Sequence, residues 1–318
     1  MSQPRALILG VNGQDGSYLA DILVQAGYDV HGVVRRSSQP NLWRIDHLRD
    51  RITIHYGDLL DFGSIHRLFW RVLPDEVYNE ADQDHVGYSQ LTPHYSSSVT
   101  YGAVANLLEL VGQVKPPKVK LFQPLSATMF GDIPGPQNEE TPFNPQSPYA
   151  IAKTAAYHLC KLYREKYGVF VSTAIFYNHD SVRRQGDYLL HKICKAAVQI
   201  QHYDSESLSL SNKWMKVDIG CASEYMVAAY KMLQLDTPVN LCIGSDFAGS
   251  IYSFVQKAFA NCHLSMNRFL DTQGDYSCSL LSDCAMAREL IDWVPKRSVY
   301  NLIDELCEHY TQTLYGGK

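Results

Sequence analysis

Seven residues near the N-terminus, Gly10-Val11-Asn12-Gly13-Gln14-Asp15-Gly16, constrain this chain more than any other stretch. They follow the apolar run Ala6 to Leu9 at once and open an amphipathic stretch through Tyr18, Leu19, Ile22 and Leu23 to Gly27. A strand that turns directly into a helix needs glycine where the turn is tight and where backbone approaches a ligand, and the helix N-terminus then offers free N–H groups to a pyrophosphate. Gly10, Asn12, Gly13, Gln14, Asp15 and Gly16 are therefore expected to hold a dinucleotide. Further short apolar runs at 29–34, 52–56, 76–79, 119–123 and 170–176 alternate with helical patterns. This alternation predicts βαβ units and a doubly wound parallel α/β sheet.

The ends of these strands carry the polar chemistry. The run at 29–34 leads into Arg35-Arg36-Ser37-Ser38, where an acidic residue would ordinarily bind the adenosine ribose of NAD. Two guanidiniums and two hydroxyls suit a 2′-phosphate instead, so NADP is the expected cofactor, with Arg35, Arg36 and Ser37 on the phosphate. Asp58 and Leu59 close the third strand, where a carboxylate can accept from the adenine amino group. Asp61 reads as the cap of the next helix. The fourth strand enters Glu80-Ala81-Asp82-Gln83-Asp84, an acidic run read mainly as solvated loop carboxylates, with relocated acid/base chemistry as the other reading.

Tyr149 and Lys153 lie four residues apart just after Ser147-Pro148. On a helix this places the ammonium beside the phenol, where it would make the phenolate accessible near neutral pH. Such a phenolate takes a proton from an alcohol while a nicotinamide takes the hydride. With 21 tyrosines in the chain, a lysine four residues later arises by chance about once, so the pair needs its context. Ser126, in Ser126-Ala127-Thr128, precedes Tyr149 at the edge of the fifth strand and supplies a hydroxyl for the reacting oxygen.

The motifs together resemble the extended short-chain dehydrogenases/reductases, and within them the GDP-mannose 4,6-dehydratase family. The resemblance spans 5–230. It rests on Gly-Val-Asn-Gly-Gln-Asp-Gly-Ser-Tyr-Leu from Gly10, Val-Val-Arg-Arg-Ser-Ser from Val33, Pro-Asp-Glu-Val-Tyr-Asn from Pro74, the run from Thr141 to Lys153, and Tyr-Asn-His-Asp-Ser-Val-Arg-Arg from Tyr177. It implies a Rossmann-type sheet with a smaller C-terminal α/β substrate-binding part: 1–178 for NADP, joined by segments near 213–236, and 179–318 mainly for substrate. It further implies cofactor contacts from Tyr149, Lys153, His179 and Arg184, substrate contacts from Ser126, Thr128, Asn178 and Lys192, and a homodimer or homotetramer.

Two departures qualify what the resemblance implies. The family carries Thr-Ser-Glu where this chain has Ser126-Ala127-Thr128, and that glutamate is the group expected to remove the proton beside the new ketone. A threonine hydroxyl is no useful base near neutral pH, and Ser-Ala-Thr resembles nucleotide-sugar 4-epimerases. The family's nucleotide-gripping Arg-Asp-Trp-Gly is replaced by Val217-Asp218-Ile219-Gly220. The expectation is an NADP-dependent enzyme acting at carbon 4 of a nucleotide-activated hexose, epimerase or ketoreductase in outcome. Its rivals are a true 4,6-dehydratase with its base relocated to Glu80, Asp82 or Asp84, and a cofactor-bound partner protein without turnover.

Composition narrows the setting. A chain of 318 residues, 46% hydrophobic and 19% charged, suits one large α/β domain or a large domain with a smaller one. A net charge of -5 without a basic block argues against nucleic acid as a partner. Eight scattered cysteines, none in a Cys-x-x-Cys pair, suit reduced thiols and no metal. No apolar run approaches the roughly 18 residues of a membrane span, and the first strand starts too early for a signal peptide, so a cytoplasmic enzyme is expected.

Overall fold

A computed structural model describes residues 3–38, 41–114, 119–184, 188–203, 207–272 and 280–316, with backbone alone at 270–272. In chain order the elements are β1 (Arg5–Leu9), α1 (Gln14–Gln25), β2 (Asp29–Val34), β3 (Ile52–Tyr56), α2 (Phe62–Val72), β4 (Glu76–Asn79), α3 (Val86–Leu91), α4 (Pro93–Ser97), α5 (Ala103–Gly112), β5 (Lys120–Ser126), α6 (Pro148–Tyr167) and β6 (Val171–Phe176). There follow β7 (Asn178–Asp180), α7 (Leu189–Tyr203), β8 (Leu208–Ser211), β9 (Lys216–Cys221), α8 (Ala222–Gln234), β10 (Asn240–Ile243), β11 (Ala248–Ser250), α9 (Ile251–Asn261), β12 (Phe269–Thr272), α10 (Ala285–Ile291) and α11 (Val299–Tyr315).

Seven strands form one sheet in the order β10-β6-β5-β4-β1-β2-β3, every pair parallel. A parallel sheet is covered on both faces, which is why β4 and β6 are buried along their whole length. On one face Leu19 and Leu23 of α1 pack with Met226, Ala229 and Met232 of α8. On the other, Ile65 and Phe69 of α2, Leu107 and Val111 of α5, and Ala156 and Cys160 of α6 share a core. The strand order reverses between β1 and β4, and in such sheets the crevice outside the carboxyl ends at that point receives the ligand. The glycine turn after β1 and the acidic run after β4 flank this crevice.

The expected Rossmann-type fold is therefore present. The acid at Asp61 caps α2, accepting from the Ser64 amide. The helical stretch before β5 starts at Pro93 and carries a π-helical turn over Ser98–Gly102 before α5. That turn swings Thr100 inward, where it is buried. A short sheet of order β11-β9-β7 was not anticipated, because strands of three residues leave little periodicity to read. A third core joins α7, α9 and α11 through Ile193, Val198, Phe254, Phe259, Leu302 and Leu306. The seven described cysteines are free and buried; Cys278 lies outside the described residues. Among the described residues no cluster of His, Cys, Asp and Glu could hold a metal ion, and no helix is long and apolar enough to cross a membrane.

Candidate active site

A cavity of about 700 Å3 opens at the carboxyl ends of β1, β4, β5 and β6. Its floor begins at the glycine turn. Gly10 has φ +78°, and a Cβ there would meet the Ala81 backbone at 2.9 Å; a Cβ on Gly16 would lie 2.4 Å from the Gly10 carbonyl oxygen. Gly13 caps α1 with no side-chain hydrogen bond, so the first-turn N–H groups have no side-chain acceptor and suit a phosphate. Gln14 and Asp15 line the cavity. Asn12 turns outward and donates to the Asn41 carbonyl at 3.1 Å. These features fit a dinucleotide.

Tyr149, Lys153, Ser126 and Thr128 meet in the cavity wall. Ser147 accepts from the Ala150 amide and Pro148 occupies the first turn, so α6 starts just ahead of Tyr149 and sets Lys153 one turn beyond it. The Lys153 ammonium lies 5.6 Å from the centre of the Tyr149 ring. It donates to the Pro124 carbonyl at 2.8 Å and pairs with Asp82 at 2.8 Å. Ser126 ends β5, and the Thr128 hydroxyl donates to its Oγ at 2.9 Å.

The electrostatics differ from the expected lowered phenol. Burial pushes the Tyr149 phenol well above its ordinary range; Lys153 and a hydrogen bond with Ser126 oppose this, while Asp82 and Asp84 add to it. Burial would discharge Lys153, but Asp82 above all holds it as the ammonium. The first reason for the difference is burial of the phenol, and the carboxylate paired with Lys153 adds to it.

The acidic run is likewise not solvated in the way expected. Asp82 is largely buried, its Oδ1 accepting from the Thr100 hydroxyl at 2.5 Å and the Gln83 amide at 2.7 Å while Oδ2 forms the ion pair with Lys153. Glu80 has one fully buried oxygen without a hydrogen-bond partner. Burial, with Asp15 close by, pushes its carboxyl well above the carboxylate range despite Lys153. Asp84 is half exposed and pairs with Arg184 at 2.9 Å, while the Tyr188 hydroxyl donates to it at 3.1 Å. All three line the crevice because β4 ends at the switch point, a position that local composition does not reveal.

His179 follows β6 and bonds Asp15 Oδ2 through Nε2 at 2.9 Å, with Nδ1 on the Tyr177 carbonyl at 2.9 Å. Burial disfavours the imidazolium, yet Asp15 raises its pKa overall; Asp15 in turn is held low by His179 against burial. Arg184 donates to the His179 carbonyl at 3.0 Å and stacks over Tyr188 at 3.4 Å. Asn178 lines the same cavity.

Other expected site residues lie apart. Arg35, Arg36 and Ser37 are exposed at the end of β2, with Arg35 donating to the Tyr95 hydroxyl at 3.1 Å. Asp58 and Leu59 sit at the end of β3, where Asp58 Oδ1 accepts from the Leu60 amide at 2.9 Å. None of these residues lines the cavity wall. Lys192 is exposed on α7 and is not part of that wall. Val217 is, beside Met215, Ile219 and Ile251, which makes the far side apolar. Arg44 was missed: it lines the cavity, is buried, and donates to the Asn12 carbonyl at 3.1 Å and to the Arg183 carbonyl. No local pattern marks it, since its partners come from distant parts of the chain.

Comparison with known proteins agrees with this geometry. Residues 7–306 match the family model described as GDP-mannose 4,6 dehydratase. The chain is 35% identical to GDP-mannose 4,6 dehydratase 1 of Arabidopsis thaliana, covering 94% of this chain and 87% of that protein. It is 33% identical to the Homo sapiens GDP-mannose 4,6 dehydratase, covering 96% and 91%. Among solved structures, a UDP-glucose 4-epimerase with UDP-glucose from Thermotoga maritima superposes with a TM-score of 0.86 at 19% identity over 98% of this chain and 99% of that one. A dTDP-glucose 4,6-dehydratase with NAD from Bacillus anthracis gives 0.85 at 17% identity, covering 97% of each. These two likenesses establish shared fold.

Proposed function

This chain belongs to the GDP-mannose 4,6-dehydratase family, and from that premise we propose that it is an NADP-dependent enzyme acting at carbon 4 of a nucleotide-activated hexose. The outcome is epimerisation or interconversion of ketone and alcohol, without loss of water. One observation carries this reading: Thr128 stands where the resemblance implies a glutamate, its hydroxyl bonded to Ser126, and none of Asp82, Asp84 and Glu80 is both unpaired and favoured as the anion. Asp82 is on Lys153, Asp84 is on Arg184, and Glu80 is buried in an environment that favours its neutral form.

When bound, NADP supplies a hydride acceptor or donor at carbon 4. Tyr149 Oη holds and moves the proton on the carbon 4 oxygen, Ser126 orients that oxygen, and Lys153 binds the cofactor ribose. The α1 N-terminus and Gly13 receive the pyrophosphate, with Arg35 and Arg36 assigned to the 2′-phosphate. Residues 1–178 are assigned to the cofactor and 179–318 mainly to the sugar nucleotide, with segments near 213–236 joining them, in a cytoplasmic homo-oligomer.

The test is incubation of the full chain with NADP or NADPH and candidate nucleotide-hexoses, followed by product identification. A carbon 4 epimer or alcohol is expected, and Tyr149→Phe should lower turnover by about 100-fold or more while dinucleotide binding persists. A 4-keto-6-deoxy sugar nucleotide as product would refute the proposed outcome and establish dehydration with a relocated base.

A further inference from the structure

We propose that Asp82 is a positioning residue: its carboxylate, paired with the Lys153 ammonium, offsets part of that charge at the Tyr149 hydroxyl and so helps keep Tyr149 a proton donor, favouring reduction of a ketone. The inference rests on the reading of Tyr149 as the proton-transfer group. It concerns which way the proton is poised, a property set here by residues of the acidic run.

The geometry is specific. Lys153 is nearly inaccessible; its ammonium donates to the Pro124 carbonyl at 2.8 Å and lies 2.8 Å from Asp82 Oδ2 as an ion pair. Asp82 is itself held in place by the Thr100 hydroxyl at 2.5 Å and the Gln83 amide at 2.7 Å. Thr100 reaches it from the π-helical turn between α4 and α5. A cation in contact with an anion acts on a third group as a dipole, whose influence falls off faster than that of a single charge.

The other groups facing the pair do not replace Asp82. On Tyr149 these are Lys153, Asp82, Asp84 and Ser126; on Lys153 they are Asp82, Tyr149 and Glu80. Asp84 is matched by Arg184. Burial, with Asp15 adding to it, favours the neutral form of Glu80. Cys160 on α6 also senses Lys153, yet burial pushes its thiol up to about 12 and so favours the neutral form. Burial is the first cause of the raised Tyr149 phenol, and Asp82 reinforces it.

In the reducing direction the carbonyl carbon would gain a hydride from the reduced dinucleotide, which is thereby oxidised, as the π bond of the C=O breaks and a C–O single bond is left. The carbonyl oxygen takes the proton from Tyr149 Oη, and the tyrosinate regains a proton from solvent. A phenol already protonated at neutral pH is ready for this step. Oxidation of an alcohol would require the phenolate and should therefore accelerate with alkalinity.

The experiment labels the full chain with 13C at the tyrosine ζ carbon, assigns Tyr149 with the Tyr149→Phe variant, and follows its resonance with pH. In the wild type it should remain a phenol through about pH 10, the ordinary tyrosine range. In Asp82→Asn the titration should move down by about one to two pH units. Thr100→Val, which removes only a hydroxyl holding Asp82, should shift it the same way by less, and keeps the test available if Asp82→Asn misfolds. The pH profile of dinucleotide oxidation and reduction should move with the resonance. An unchanged titration in a folded Asp82→Asn protein, or wild-type ionisation near neutral pH, would overturn the proposal. Because the resonance needs no substrate, failure to turn over nucleotide-hexoses with the expected titration would refute the proposed function and leave the role of Asp82 standing.

Discussion

Replacing Gly16 by alanine separates the two roles of the glycine turn. The added Cβ would sit 2.4 Å from the Gly10 carbonyl oxygen and 2.8 Å from Val11 Cα, both backbone atoms that cannot rotate away. Ordinary carbon–oxygen contact needs about 3.3 Å, so the turn or α1 must move by nearly 1 Å, at an overpacking cost of about 1–3 kcal/mol. At this chain length, roughly 2 °C of melting temperature per kcal/mol implies a fall of a few degrees. Gly27→Ala is the matched control. It has φ +84° with no atom within 4 Å of the new Cβ, so only left-handed strain of about 1–2 kcal/mol arises. Both variants should melt a few degrees early, yet only Gly16→Ala should weaken NADP binding, by about tenfold or more, since it displaces the phosphate cradle. Calorimetric titration and thermal melting of the two proteins decide the matter. Equal NADP affinities in the two variants, with comparable melting shifts, would refute the assignment of this turn to the cofactor.

Three further outcomes are expected. Replacing both Arg35 and Arg36 by alanine should lower NADP affinity by about tenfold or more and leave NAD affinity nearly unchanged, because only the 2′-phosphate distinguishes the two; parallel losses for both cofactors would contradict that role. Asp218→Ala strips the acceptor from the Ser245 amide and hydroxyl at 2.8 and 2.6 Å and from those of Ser282 at 3.1 and 2.6 Å. Each donor left unsatisfied costs about 1–3 kcal/mol, so denaturant unfolding should show a loss of at least about 3 kcal/mol, and a loss under about 1 kcal/mol would be inconsistent with the network. The His179–Asp15 pair should make stability pH-dependent in a defined window. With the His179 pKa raised, its contribution is complete below the unfolded value of about 6.5 and disappears as pH rises through the folded value. With the Asp15 pKa lowered, its contribution is complete above about 3.9 and disappears as pH falls through the folded value. Urea midpoints of wild type and His179→Asn should differ most between these limits, and a difference that grows steadily into alkaline pH would disprove the pairing.

Local chemistry accounts for what was legible in the sequence. Apolar strands buried on both faces are continuous runs, so β1 and β6 stand out; Asp61 and Ser147 mark helix starts because side-chain oxygens cap adjacent amides. The spacing of Tyr149 and Lys153 follows from the pitch of α6, and the glycines of the turn follow from backbone sterics. Ser126 needed more, namely the pairing of β5 beside β6 that carries it to the same sheet edge. Arg44, joined to carbonyls of residues 12 and 183, left no trace in local pattern.

The sequence by itself determined the parallel α/β fold, the glycine turn between β1 and α1 and the Tyr149–Lys153 spacing, since each depends on residues close together in the chain, while the resemblance to the family marked Thr128 as standing in place of a carboxylate. Only the tertiary structure decided where the charges go. Strand order carries the acidic run after β4 into the crevice beside α6, and the π-helical turn brings Thr100 onto Asp82. Once Asp82 pairs with Lys153 in a site shielded from water, the lysine no longer presents an unmatched charge to Tyr149. That balance depends on distances between three separate elements, and residue spacing along the chain carries no information about them.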